Sequence, residues 1–157
     1  MSYVFDTSPF STLFRNYYRN VFRSLWRDFD QLVAAGEILS TREVRREIDV
    51  GPVPALRQWA KDHADLFPAP DATEAVFVAR IFREVPHFQN NIETRKLLAG
   101  GLVADPFVIA RAQVTGSTLV TMETLKPNAA DIPNICAHYR IPWLSLEEFM
   151  EAEGWSF

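Results

Sequence analysis

Asp6, Glu47, Asp105 and Glu123 stand where a carboxylate can take part in chemistry. Asp6 follows the short apolar run Tyr3-Val4-Phe5, and Glu123 follows Thr118-Leu119-Val120-Thr121-Met122, which has the β-branched, apolar character of an interior parallel strand. Both acids thus end predicted strands, and open α/β sheets place their ligand sites at strand carboxyl ends. Asp105 opens the helical stretch DPFVIARAQVT, which Gly116 stops, so two acids from one helix–strand unit can converge on a single cleft. Glu47 lies on the predicted helix TREVRREIDV, with Glu43 one turn before it on roughly the same face. Each acid also has a plainer reading. Asp105-Pro106 is an ordinary N-cap and N1 pair, Asp6 suits an Asx turn, and Glu47 suits a solvated helix face.

The elements that must position these acids are legible along the chain. After Asp6, Thr7-Ser8-Pro9 suits the first turn of a helix. Tyr18, Val21, Phe22, Leu25, Trp26, Phe29, Leu32 and Val33 then recur at helical spacing up to Gly36, which predicts one long amphipathic helix. Ile38 to Thr41 reads as a second strand, with Thr41 capping the helix that Gly51-Pro52 halts. Residues 52–65 predict another helix, and Asp71 to Glu74 form a capping box opening a helix through Phe82 that Pro86 closes. A short helix is expected over 90–98, and Gly100-Gly101 separates it from the Asp105 unit. Beyond the loop from Lys126 to Pro133 come a helical turn over 135–139, a last strand over 141–144 and a final helix capped by Ser145 and Glu148, ending at Gly154. Short strands alternating with helices predict a three-layer α/β/α sandwich around a small, mostly parallel sheet.

Composition agrees with one domain over residues 1–157. The chain is long enough to bury a core, and twelve Phe and four Trp indicate a filled interior. No apolar run reaches the roughly 20 residues that span a bilayer, and MSYVFDTS lacks the basic region of a secretory signal. The single cysteine, Cys136, excludes an internal disulfide and suits a reducing, cytoplasmic setting. A net charge of −4 argues against coating nucleic acid, yet it is compatible with an acidic metal site beside basic patches. Arg15, Arg19, Arg23 and Arg27 recur every fourth residue, and Arg42, Arg45 and Arg46 cluster near Glu47. The long-helix stripe reads equally well as a solvated face paired with Asp28 and Asp30. His63, His87 and His138 lack zinc-ligand spacing, and no phosphate-cradling glycine motif occurs.

YVFDTS at the N-terminus, LSTREVRREI after the first helical hairpin, ADPFVIARA, and STLVTME followed by IPWLSLEEF occur in the order found in the PIN-domain nucleases. The chain resembles that family over essentially its whole length, and within it the VapC-type toxins and their single-domain relatives. The resemblance implies Mg²⁺ or Mn²⁺ in a carboxylate cluster that hydrolyses RNA phosphodiesters. Mg²⁺ takes hard oxygen ligands and keeps several waters, so two or three carboxylates suffice, and the dication makes their mutual repulsion tolerable. Asp6 and Asp105 are the expected principal ligands, completed by Glu47 and Glu123. Glu47 is preferred over Glu43 because Val44 places it in the family's V-x-x-E pattern. Ser8, Arg42, Arg46 and Lys126 are secondary candidates for the phosphate backbone. A cognate antitoxin is the implied partner, and Tyr17, Tyr18, Phe22 and Trp26 offer an apolar homodimer interface, although Phe22 and Trp26 are better explained as core.

The fourth acid of the pattern is more often Asp. Glu123, one methylene longer, therefore supports a rival expectation: a catalytically silent module of the same fold that binds RNA or a protein. A phosphatase-like or response-regulator-like pocket is weaker, because only one acid follows the first strand.

Overall fold

The computed structural model describes residues 1–85, 88 and 103–157. The helix expected over 90–98, the glycine pair at 100–101 and the closing role of Pro86 lie outside the described residues. Four strands, β1 (Tyr3–Phe5), β2 (Ile38–Leu39), β3 (Thr118–Val120) and β4 (Trp143–Leu144), form one sheet in the order β2-β1-β3-β4, and every pairing is parallel. The described helices are α1 (Thr7–Asn16), α2 (Arg23–Ala34), α3 (Arg42–Val50), α4 (Pro54–Asp62), α5 (Ala72–Glu84), α6 (Asp105–Thr115), α7 (Ile132–Tyr139) and α8 (Leu146–Ala152).

Strand alternation sorts the two faces. Tyr3 and Phe5 turn to one side, where Phe5 meets Phe10 of α1 at 5.0 Å and both meet Phe149 of α8 edge-on, at 4.7 and 5.1 Å. On that side α1, α3 and α4 pack together. α6 lies against β1 and β3 and forms a second helical layer with α5 and α7. The result is the expected α/β/α sandwich. Arg111 of α6 binds Glu74 of α5 at 3.1 Å, an ion pair whose carboxylate is 3 % exposed and which joins the two helices.

The capping boxes at Asp71–Glu74 and Ser145–Glu148 form as expected, and Thr41 Oγ1 accepts the Val44 N–H. Gly116 ends α6 at φ 67°, a left-handed conformation that costs glycine little.

The strands expected over 38–41, 118–122 and 141–144 shorten to Ile38–Leu39, Thr118–Val120 and Trp143–Leu144, and one expected helix is divided. The long helix up to Gly36 is two helices, broken over residues 17–22. The Tyr17 carbonyl accepts the Trp26 indole N–H at 2.6 Å, and the Tyr17 and Phe22 rings pack edge to face. The connector carries Tyr18 and Val21 out to solvent while returning Trp26 to the core, and their apolar type at helical spacing is why periodicity alone misses the turn. The arginine stripe breaks with it: Arg15 sits on α1, Arg19 in the connector, and only Arg23 and Arg27 on α2. Arg19 lies 4.1 Å over the Trp26 ring and binds Asp30 at 3.0 Å.

Candidate functional site

Strand order locates the site. From β1 the chain crosses outward to β2, and from β3 it crosses the other way to β4, so the order reverses between β1 and β3. A crevice opens at the carboxyl ends of two such strands, because their connections leave in opposite directions. Asp6 follows β1 directly and Thr121 follows β3 directly; the Asp6 N–H donates to the Val120 carbonyl at 3.0 Å and holds the two together.

Asp6 occupies the N-cap position of α1, yet its side chain makes no capping bond. Its carboxylate instead accepts the Thr121 hydroxyl at 3.2 Å and the Thr7 backbone N–H. The residue is 5 % exposed. Burial is the largest force on its proton, followed by the negative charge of Glu123 and, more weakly, of Glu47. These overcome the two hydrogen bonds and push the Asp6 carboxyl up to about 7. Asp6, Glu123 and Glu47 therefore share one electrostatic neighbourhood.

Each glutamate is held by its own contact. Glu47 Oε1, on the half-buried face of α3, accepts the Thr7 hydroxyl at 2.5 Å. Glu43 is buried, with its Oε1 taken by Arg42 at 2.9 Å and its Oε2 without a hydrogen-bond partner, and the α3 charge that acts on Asp6 is that of Glu47. The Glu123 N–H donates to Thr121 Oγ1 at 3.1 Å, while its carboxylate accepts the Ile132 N–H of α7 at 2.8 Å. Thr121 thus accepts from one acid's backbone and donates to the other acid's side chain.

Asp105 is buried in the first turn of α6, as N1 rather than the expected N-cap: Ala104, in a helical conformation, takes the cap position and its carbonyl accepts the Phe107 and Val108 N–H groups. α6 runs back along β3 through the tight turn at Gly116. Asp105 thus stands at the end of α6 remote from the turn into β3.

The secondary candidates lie outside this neighbourhood of contacts. Ser8 and Arg46 are exposed, Arg42 is committed to Glu43, and Lys126 is exposed with its Nζ 3.8 Å from Asp131. The two threonines that organise the acids, Thr7 and Thr121, escape a search for charged residues. Their signal is position: each is a hydroxyl one or two residues from a candidate acid. With the glutamates in these hydrogen bonds, no group of three or more His, Cys, Asp or Glu side chains among the described residues is set to grip a metal.

No curated protein matches the chain. Among solved structures it is similar to the VapBC2 crystal structure from Rickettsia felis, bound to a DNA fragment from their promoter, at 13 % identity and a TM-score of 0.48, covering 92 % of this chain and 98 % of that one. A family model described as a domain of unknown function, DUF4411, matches residues 3–157, and the chain belongs to that family.

Proposed function

We propose that this protein is a PIN-like, divalent-metal-dependent endoribonuclease. The observation that carries the reading is the buried Asp6 carboxylate at the crevice between β1 and β3, in the combined field of Glu123 and Glu47. Acids forced together in this way destabilise the empty site, and a hard dication offsets their repulsion. The donors fit such an ion, since all are oxygens. Asp6 and Asp105 would hold it, with Glu47 completing the cluster directly or through water. When bound, Mg²⁺ or Mn²⁺ supplies an activated water and offsets charge on the phosphate.

The chain's own groups supply the positioning. Thr121 and the Thr7 N–H orient Asp6, and the Thr7 hydroxyl holds Glu47 toward the same crevice. Arg46, exposed on α3, would engage the phosphate backbone. The test is cleavage of a labelled RNA with Mg²⁺ or Mn²⁺, with EDTA as control. Activity that survives Asp6→Asn and Asp105→Asn would sink the assignment.

The sequence resemblance adds a biological role, the toxin of a toxin–antitoxin pair. Its induction without an antitoxin should arrest growth, and Asp6→Asn should relieve the arrest. A second reading has its own observation. Glu47 and Glu123 are both engaged in hydrogen bonds within the protein, as in a silent module that binds RNA or a protein through this fold. A silent module gains little thermal stability from Mn²⁺, whereas a working carboxylate site gains it by mass action.

A further inference from the structure

The first turn of α7 has a capping problem. Its N-cap, Asp131, makes no side-chain capping bond, and Pro133 has no N–H. Ile135 bonds back to the Asp131 carbonyl at 3.1 Å, which leaves the Ile132 N–H in need of an acceptor. Ile132 is fully buried, so water is a poor substitute. Glu123, nine residues earlier, supplies that acceptor at 2.8 Å. The connector is tied to the same turn again, by the Lys126 N–H to Asn134 Oδ1 at 3.3 Å and the Asn134 amide to the Lys126 carbonyl at 2.5 Å.

Capping also bears on Asp6. With its carboxylate fixed on α7, Glu123 presents its backbone N–H to Thr121 Oγ1. That hydroxyl, occupied as an acceptor, directs its only proton to Asp6. We propose that Glu123 is a positioning residue: it caps α7 in trans and thereby sets the Thr121 hydroxyl that orients Asp6, rather than gripping a metal itself. The extra methylene relative to aspartate is what spans the gap to Ile132. The part of this inference that concerns metal rests on the ribonuclease reading; the capping does not.

Three variants separate the roles. Glu123→Gln keeps a carbonyl oxygen at the same reach, Glu123→Asp keeps the charge but is one methylene short, and Glu123→Ala keeps neither. Without metal, Gln and Ala both remove repulsion on Asp6, so their difference reports the cap alone. Glu123→Gln should melt about 3 °C above Glu123→Ala, the scale of a lost cap in a domain of this size. Equal melting temperatures overturn the capping role.

With Mn²⁺, followed by thermal shift, the midpoint concentration for Glu123→Gln should stay within about fivefold of wild type, and that for Glu123→Asp should move further. A directly ligating Glu123 gives the reverse order, with Asp responding and Gln silent, and overturns the positioning role. If wild type itself does not respond to Mn²⁺, the ribonuclease reading fails and so does the metal-positioning half of the inference. The metal-free Gln–Ala comparison still decides the cap.

Discussion

The carboxyl edge of the sheet and the helical hairpin beside α4 treat burial in opposite ways. At the edge, Asp6, Ser40, Thr41 and Thr121 are all at most 5 % exposed; Asp6, Ser40 and Thr121 exchange hydrogen bonds across elements, and Thr41 caps α3. At the hairpin, Phe14, Trp26, Phe29 and Trp59 pack ring against ring at 4.8–6.1 Å, beside a cavity of about 550 Å³ that Tyr17 and Tyr18 also line. The hairpin follows the rule that apolar area leaves water, so its side chains are interchangeable within limits of volume. The edge violates that rule with a buried carboxylate beside two further acids, an arrangement that weakens folding unless something else selects it. Apolar packing fills one region, and a buried carboxylate marks the other.

Substitutions should separate the two regions. Asp6→Asn should reduce Mn²⁺-dependent RNA cleavage by about a thousandfold, as expected for loss of a principal ligand, with the melting temperature unharmed. Comparable cleavage by the variant breaks the contrast. Phe29→Ala, fully buried in the hairpin, should cost about 3–5 kcal/mol in urea unfolding. Its effect on cleavage per folded molecule should be small.

pH sharpens the comparison. Burial and the neighbouring acids push the Asp6 carboxyl up to about 7, against an ordinary 3.8, so the folded state holds its proton more tightly than the unfolded chain. Its favourable contribution is complete below about pH 4 and is lost as pH rises through 7, a span worth at most about 4 kcal/mol. In EDTA, wild type should therefore lose stability between about pH 4 and 7 while Asp6→Asn stays flatter and ends above it. Parallel curves for the two proteins would refute the assigned strain at the edge.

The smallest effect is expected from Thr7→Val, which removes the hydroxyl from Glu47. It should cost about 1 kcal/mol of stability and lower cleavage about tenfold, with Thr7→Ser restoring both. Failure of the serine variant to rescue would show that the Thr7 methyl, not its hydroxyl, matters.

Much of this design is legible in the chain itself. The strand Tyr3–Phe5, the start of the strand at Thr118, the Thr41 cap, both capping boxes and the Gly116 stop are short-range decisions made by residue type over a few positions. The candidate acids are visible for the same reason, since a carboxylate after an apolar run is a local pattern. The break at residues 17–22 is not local, because a ring contact and an indole N–H nine residues away close it. Nor is Glu123's hold on Ile132, Thr7's on Glu47 or Thr121's on Asp6, the last reaching across 115 residues of chain. Sequence decided which residues carry charge and which apolar runs become strands. Only the parallel β2-β1-β3-β4 order decided which acids meet, because electrostatic coupling depends on distance in space, and that order alone brings Asp6 beside Thr121 and Glu123.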